Sequence, residues 1–171
     1  MKVINLIGQP GAGKSTTAAM LFAQMKLQGL EVELVTEYAK DVVWEERDNL
    51  FAQQDYIFAK QHRRIARLKG KVDYVITDSP LLLSILYTPL DFPKTFVPFV
   101  REVNSLYDNE YFFINRTKAY NPNGRNQTES ESDDIGVAIE SFLDEESIRF
   151  TKVNGDENAS WTILKEINGE L

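Results

Sequence analysis

The sequence predicts a three-layer α/β fold in which a five-stranded parallel sheet lies between helices. Five short apolar or alternating segments are typical of strands, at 3–7, 31–36, 74–78, 111–114 and 149–153. Segments with helical character lie between and after them, at 15–27, 49–69, 80–87, 94–107, 130–147 and 158–167. Strands that alternate with helices need crossover connections, and such connections produce parallel strand pairs.

Composition limits the classes of protein to be considered. The chain has 171 residues, of which 43% are hydrophobic and 26% charged, so we expect one domain over 1–171. It has no cysteine, which excludes disulfides, thiolate metal sites and cysteine nucleophiles. No apolar run approaches the roughly 20 residues of a membrane span, so we expect a soluble intracellular domain with no membrane partner.

Charge is unevenly distributed along the chain. The net charge is −7, but eight carboxylates lie between 126 and 146 without a lysine or arginine. The segment 60–71 instead has six cations and no acid. That basic segment is either a solvated helix face or a surface that faces phosphates.

The sequence GQPGAGKS at 8–15 matches the phosphate-binding pattern G-x-x-x-x-G-K-[ST] at every fixed position. Glycines let backbone N–H groups converge on phosphate oxygens, and the following helix directs its positive end at the same anion. Lys14 can reach the β- and γ-phosphates, and the Ser15 hydroxyl can ligate Mg²⁺. We therefore expect a phosphate-binding loop (the P-loop, 8–15) for ATP and Mg²⁺. The expected nucleotide-binding residues are Gly8, Pro10, Gly11, Ala12, Gly13, Lys14, Ser15 and Thr16.

Two carboxylates follow predicted strands. Asp78 ends the third strand, so it lies at the carboxyl edge of the sheet, where such folds bind ligands. We expect it to hold Mg²⁺ directly or through water, although an Asp before Ser79 and Pro80 also suits a helix cap. Glu37 follows the second strand and could accept the proton of an attacking hydroxyl. Its alternative role is that of an acid at a helix N-terminus.

Several residues near these carboxylates suit a flat acceptor molecule. Tyr38 and Trp44 follow Glu37 closely, and aromatic rings can stack on a base; either ring could instead belong to the core. Gln54 and Gln61 occupy inward positions of the helix predicted at 49–69. A buried amide needs hydrogen-bond partners, which either other side chains or a ligand would supply.

The segment 115–133 has the composition of a lid. It is polar, has turn signals at 121–124, and contains Arg116 and Arg125. Arginines on a mobile lid can neutralise charge on a phosphoryl group during transfer, and closure excludes water. A plain surface loop is the alternative.

In this order, the residues resemble the P-loop nucleoside and nucleotide kinase superfamily. That superfamily includes deoxynucleoside kinases, thymidylate kinases and small phage and bacterial kinases akin to nicotinamide riboside kinase. The resemblance implies a three-layer P-loop NTPase fold with a short lid and a loop after strand five that borders the adenine, here Asn154 and Gly155. It also implies catalytic roles for Lys14, Glu37, Asp78, Arg116 and Arg125, and acceptor contacts from Glu37, Tyr38, Trp44, Gln54, Gln61, Arg63 and Arg64. Deoxynucleoside kinases usually have an arginine just after the acid of strand three, and Asp78-Ser79-Pro80 has none.

The resemblance implies transfer of the γ-phosphate of ATP to a hydroxyl of a nucleoside or nucleotide. The string 124–129 also looks like that of phage-encoded members, some of which phosphorylate 5-hydroxymethyluracil in DNA, so DNA is an alternative acceptor. An NTPase switch and a nucleotide-binding module without turnover are the rival functions. A homodimer is compatible with the sequence, and the expected location is the cytoplasm, which would be that of the host if a phage encodes the protein.

Overall fold

The computed structural model describes residues 1–122 and 127–169 and confirms the predicted sheet. Five strands lie in the order β2-β3-β1-β4-β5, and every neighbouring pair is parallel. The strands are β1 (Lys2–Ile7), β2 (Val32–Val35), β3 (Tyr74–Thr77), β4 (Asp108–Asn115) and β5 (Thr151–Asn154). The α-helices are α1 (Lys14–Leu27), α2 (Tyr38–Trp44), α3 (Gln54–Ala66), α4 (Leu83–Leu86), α5 (Phe96–Ser105), α6 (Glu129–Glu145) and α7 (Ala159–Asn168).

Alternating strand residues bury both faces of the sheet, which produces three layers. Ile4 and Leu6 of β1 pack with α1 and α7 on one face. Val3 packs with α3 and α5 on the other face, and Ile7 packs there with α6. A strand buried on both sides reads as a continuous apolar run, which explains why β1 was evident in the sequence.

The helix predicted at 49–69 is divided. A 3-10 helix covers Asp48–Ala52, and α3 begins only at Gln54. Gln53 separates them because its backbone (φ −105°, ψ 68°) is not helical. Leu50 still points inward from the 3-10 helix, so the apolar spacing suggested one long helix.

One further element prediction needs correction. Helix α2, which follows Glu37 directly, was not among the predicted helices. The last residues of the predicted lid segment belong to α6, which begins one residue before the helix predicted at 130–147. The Thr128 hydroxyl accepts from the N–H of Glu131, while the Glu131 carboxylate accepts from the N–H of Thr128, and this capping box begins the helix.

Among the described residues, no helix is both long enough and apolar enough to cross a membrane.

Candidate active site

The P-loop connects β1 to α1 and packs against the end of β4. Gly8, Gly11 and Gly13 have φ of 141°, 81° and 102°, which side-chain-bearing residues rarely adopt. A Cβ at Gly8 would also lie 2.6 Å from the carbonyl oxygen of Ile114. Glycine at this position therefore serves both the turn and the close approach of two strands.

Lys14, at the start of α1, curls back over the P-loop. Its Nζ donates hydrogen bonds to the carbonyl oxygens of Gly8 (2.8 Å) and Gln9 (3.1 Å). Ser15 and Thr16 are exposed in the first turn of the same helix. Their exposure leaves these hydroxyls and the helix N-terminus accessible to an anion, as a phosphate site requires.

Glu37 and Asp78 meet at the carboxyl edge of the sheet because β2 and β3 are neighbours. The backbone N–H of Glu37 donates to Oδ1 of Asp78 at 3.1 Å, and Asp78 is only 5% exposed. Desolvation raises the pKa of the Glu37 carboxyl; the charge of Lys14 opposes this and that of Asp78 adds to it. Residues 41 positions apart thus meet at one edge of the sheet.

Ser15 and Asp78 fit the donor set of a P-loop magnesium ion. One Asp78 oxygen accepts the Glu37 N–H, and neither the other oxygen nor the Ser15 hydroxyl bonds to any part of the chain that the structure describes. Within residues 1–122 and 127–169, no three His, Cys, Asp or Glu side chains come together as a metal site. Magnesium at phosphates typically uses one or two protein oxygens and completes its shell with phosphate and water, so this set suffices.

Tyr38, directly after Glu37, joins a buried cluster with Val42, Leu50 and Ile57. The ring of Tyr38 contacts that of Tyr56 edge-on at 5.9 Å, and the two hydroxyls lie 3.3 Å apart. The ring of Tyr87 is half-exposed, but burial of its hydroxyl end and the charge of Glu37 raise the pKa of Tyr87 to about 12. Sequence reasoning missed Tyr56 and Tyr87, since no motif marks either; only the strand order brings Tyr87 towards Glu37.

The two inward glutamines have protein partners. The Gln61 amide accepts from the N–H of Tyr38 (2.9 Å) and donates to the hydroxyl of Thr77 (3.3 Å). Gln54 donates to the carbonyl oxygen of Phe51 at 2.9 Å. The hydrogen bonds of Gln61 are therefore made within the protein and not left for a ligand. They join α3 to the start of α2 and the end of β3.

The arginines of α3 point in different directions. Arg64 donates to the carbonyl oxygen of Thr36 at 3.1 Å, forms an ion pair with Asp41, and lies over the ring of Tyr38. Arg63 instead lines a cleft of about 550 Å³ between α3 and α5, on the helix face opposite Gln61. Arg64 is thus near the candidate site and Arg63 is not.

Trp44 does not belong to the core, which was one of its two alternative locations in the sequence analysis. It ends α2 and is 67% exposed. The structure thus places Tyr38, but not Trp44, in the core, with Tyr56 packed against it.

The two lid arginines have different outcomes. Arg125 lies outside the described residues. Arg116 donates to Glu129 (3.2 Å), Asp133 (2.6 Å) and the hydroxyl of Ser132 (3.4 Å). The Ser132 hydroxyl in turn donates to the carbonyl oxygen of Pro10 at 2.8 Å. Arg116 therefore holds the start of α6 against the P-loop.

Asn154 and Gly155, predicted to border the adenine, follow the last strand. Asn154 is exposed, whereas Gly155 is buried, and its N–H donates to the carbonyl oxygen of Asn115 at 2.8 Å. A Cβ at Gly155 would lie 2.1 Å from the carbonyl oxygen of Ala12 and 2.8 Å from that of Asn115. The strand-five loop therefore touches the P-loop itself.

We expect Gly155→Ala to destabilise the fold by about 1–3 kcal/mol, because the backbone atoms around the added methyl group cannot move independently. Denaturant unfolding would measure the loss. Gly169→Ala is the control, since Gly169 ends α7 with a helical φ of −65°. If the Gly155 variant unfolded with the same free energy as the unaltered protein, Gly155 would not be closely packed against Ala12 and Asn115.

The comparisons with known proteins agree with this geometry. A family model described as "AAA domain" matches residues 3–159. The chain belongs to the AAA-domain family. No curated protein matches the sequence. Among solved structures, this AAA domain resembles deoxyadenosine kinase from M. mycoides with bound dATP, with 17% identity and a TM-score of 0.61 over 98% of this chain and 100% of the other. The structural likeness shows that this chain and the kinase share one fold, and the family model places the P-loop within it.

Proposed function

We propose that this AAA domain is a kinase that transfers the γ-phosphoryl group of ATP to a hydroxyl of a nucleoside or nucleotide. The supporting observation is that the backbone N–H of Glu37 donates to Asp78 at the end of β3, the strand next to β1, which leads into the P-loop. A carboxylate at this edge of the sheet can accept a proton from an attacking hydroxyl.

In the proposed reaction, Glu37 accepts the proton of the acceptor hydroxyl as its oxygen attacks the γ-phosphorus. The bond between that phosphorus and the β,γ-bridging oxygen breaks, and ADP leaves with the electron pair. Lys14 exchanges the carbonyl oxygens of Gly8 and Gln9 for phosphate oxygens and stabilises their charge. Ser15 and Asp78 would hold Mg²⁺, which supplies further charge neutralisation when bound.

Residues of α3, which packs against α2, suit a flat acceptor. Tyr56 is partly exposed and offers an aromatic ring, and Gln54 provides a buried amide at the start of the same helix. Such a combination suits a nucleobase. The solved structure that shares this fold is that of a deoxyadenosine kinase, which is consistent with a nucleoside here.

DNA with a hydroxymethylated base is the second candidate acceptor. Arg63 and Arg67 line the cleft between α3 and α5 together with the buried Phe96 and the half-exposed Phe99. Cations beside an exposed aromatic ring are typical of surfaces that bind single strands.

A phosphate-transfer screen with γ-labelled ATP tests both acceptors. Nucleosides, nucleotides, nicotinamide riboside and hydroxymethylated DNA would each be incubated with the protein and Mg²⁺, with the Lys14→Ala variant in parallel. Label in a small acceptor supports the proposal, and label in DNA that falls steeply with salt supports the second candidate. If ATP is hydrolysed at the same rate with every acceptor and no acceptor becomes labelled, both candidate acceptors are contradicted and the NTPase switch is favoured.

A further inference from the structure

The strand order fixes the direction in which a nucleotide lies on the P-loop. β1, which leads into the P-loop, has β3 and β2 on one side and β4 and β5 on the other. Glu37 follows β2, so a γ-phosphate aimed at it points towards that side. The nucleoside half of the same molecule must then extend towards the ends of β4 and β5.

Lys118 lies on this second side, directly against the P-loop. Its Cε is 3.9 Å from the position of a Cβ on Gly13, the residue that precedes α1. The neighbouring Thr117 hydroxyl donates to the carbonyl oxygen of Gly155 at 3.2 Å, and this bond anchors the backbone beside Lys118. Lys118 is exposed and forms no ion pair with any residue that the structure describes.

Arg116, two residues earlier, is engaged elsewhere. Its guanidinium forms ion pairs with Glu129 and Asp133, and its side chain is only 11% exposed. Releasing it would cost two ion pairs and the hydrogen bond that supports Ser132. Of the two cations that directly follow β4, Lys118 is therefore the one able to meet a ligand.

We infer that Lys118 binds the α-phosphate of the nucleotide, a contact that neither the sequence patterns nor the relatives assign. This inference rests on the proposed function, because it takes its direction from a γ-phosphate at Glu37. A lysine ammonium on a flexible four-carbon stem is a compact donor that reaches a phosphate oxygen without exact alignment. Since ATP and ADP share the α-phosphate, the contact holds both nucleotides and does not act on the group transferred.

The test measures dissociation constants for ATP and ADP, together with kcat, for Lys118→Met and Lys118→Arg. Methionine keeps a stem of similar length against Gly13 and removes the charge. We expect Lys118→Met to weaken ATP and ADP equally, by about tenfold, with kcat within about twofold of the unaltered protein. Lys118→Arg should restore most of the affinity. Lys94→Ala, which removes an exposed lysine before α5, is the matched control and should change nothing.

The outcomes separate this inference from the proposed function. Unchanged ATP and ADP affinities in Lys118→Met overturn the inference alone, provided that the unaltered protein binds nucleotide and Lys14→Ala does not. A lower kcat with unchanged ADP affinity also overturns it, because the lysine would then act on the γ-phosphate. No nucleotide binding by the unaltered protein overturns both.

Discussion

Replacing Lys14 with alanine is expected to reduce phosphoryl transfer at least about 10²-fold without unfolding the protein. Removing one preorganised donor from a site where negative charge develops typically has an effect of this size. Lys14 reaches the carbonyl oxygens of Gly8 and Gln9 from the first residue of α1, so its Nζ already lies over the loop that would hold the phosphates. Steady-state ADP formation with a saturating acceptor measures the loss.

Lys26→Ala is the matched control for this prediction. Lys26 lies in the last turn of the same helix and approaches Glu33 at 3.7 Å on the surface. Surface ion pairs contribute little, so this variant should keep its activity and its unfolding temperature. Transfer at the unaltered rate in Lys14→Ala would remove the P-loop from the mechanism.

The sheet could be predicted from the sequence because its signals are local. β1 is buried on both faces and ends at a glycine, and the P-loop pattern alone implies a strand before it and a helix after it. Helix α2 could not be predicted in this way. Its seven residues, YAKDVVW, are too few to show a helical period, and Gln61 stabilises its start from another helix by accepting the Tyr38 N–H.

The sequence predicts those residues of the candidate site that directly follow a strand. Glu37 and Asp78 meet because each follows a strand and those strands are neighbours. The partners of long side chains do not follow from such a rule. Arg116 lies in the predicted lid segment, but Glu129 and Asp133 bind it from the N-terminal part of α6. Lys118 belongs to no motif, and its position beside the P-loop is known only from its contact with Gly13 in the folded protein.

Glu37→Gln is expected to lower phosphoryl transfer by about 10²–10⁴-fold while leaving ATP affinity nearly unchanged. The amide retains the size of the carboxyl group but cannot accept the acceptor proton. The hydrogen bond to Asp78 uses the Glu37 backbone, so the substitution preserves it. Single-turnover transfer and a separate ATP titration distinguish the two effects. Glu31→Gln, an exposed residue just before β2, is the control for charge removal.

The pH dependence of the same residue supplies an independent check. Because desolvation raises the pKa of Glu37, a base at this position should lose activity as the pH falls through a value above the usual 4.5. A raised pKa also means that the folded state favours the protonated Glu37 carboxyl. The contribution of Glu37 to the free energy of unfolding is therefore highest at low pH, and it falls as the pH rises through the pKa of Glu37 in the folded protein. Glu37→Gln should therefore be as stable as the unaltered protein or more stable at neutral pH, in spite of its lost activity. A variant that is both inactive and less stable would instead indicate that Glu37 supports the fold as a structural acid at the start of α2.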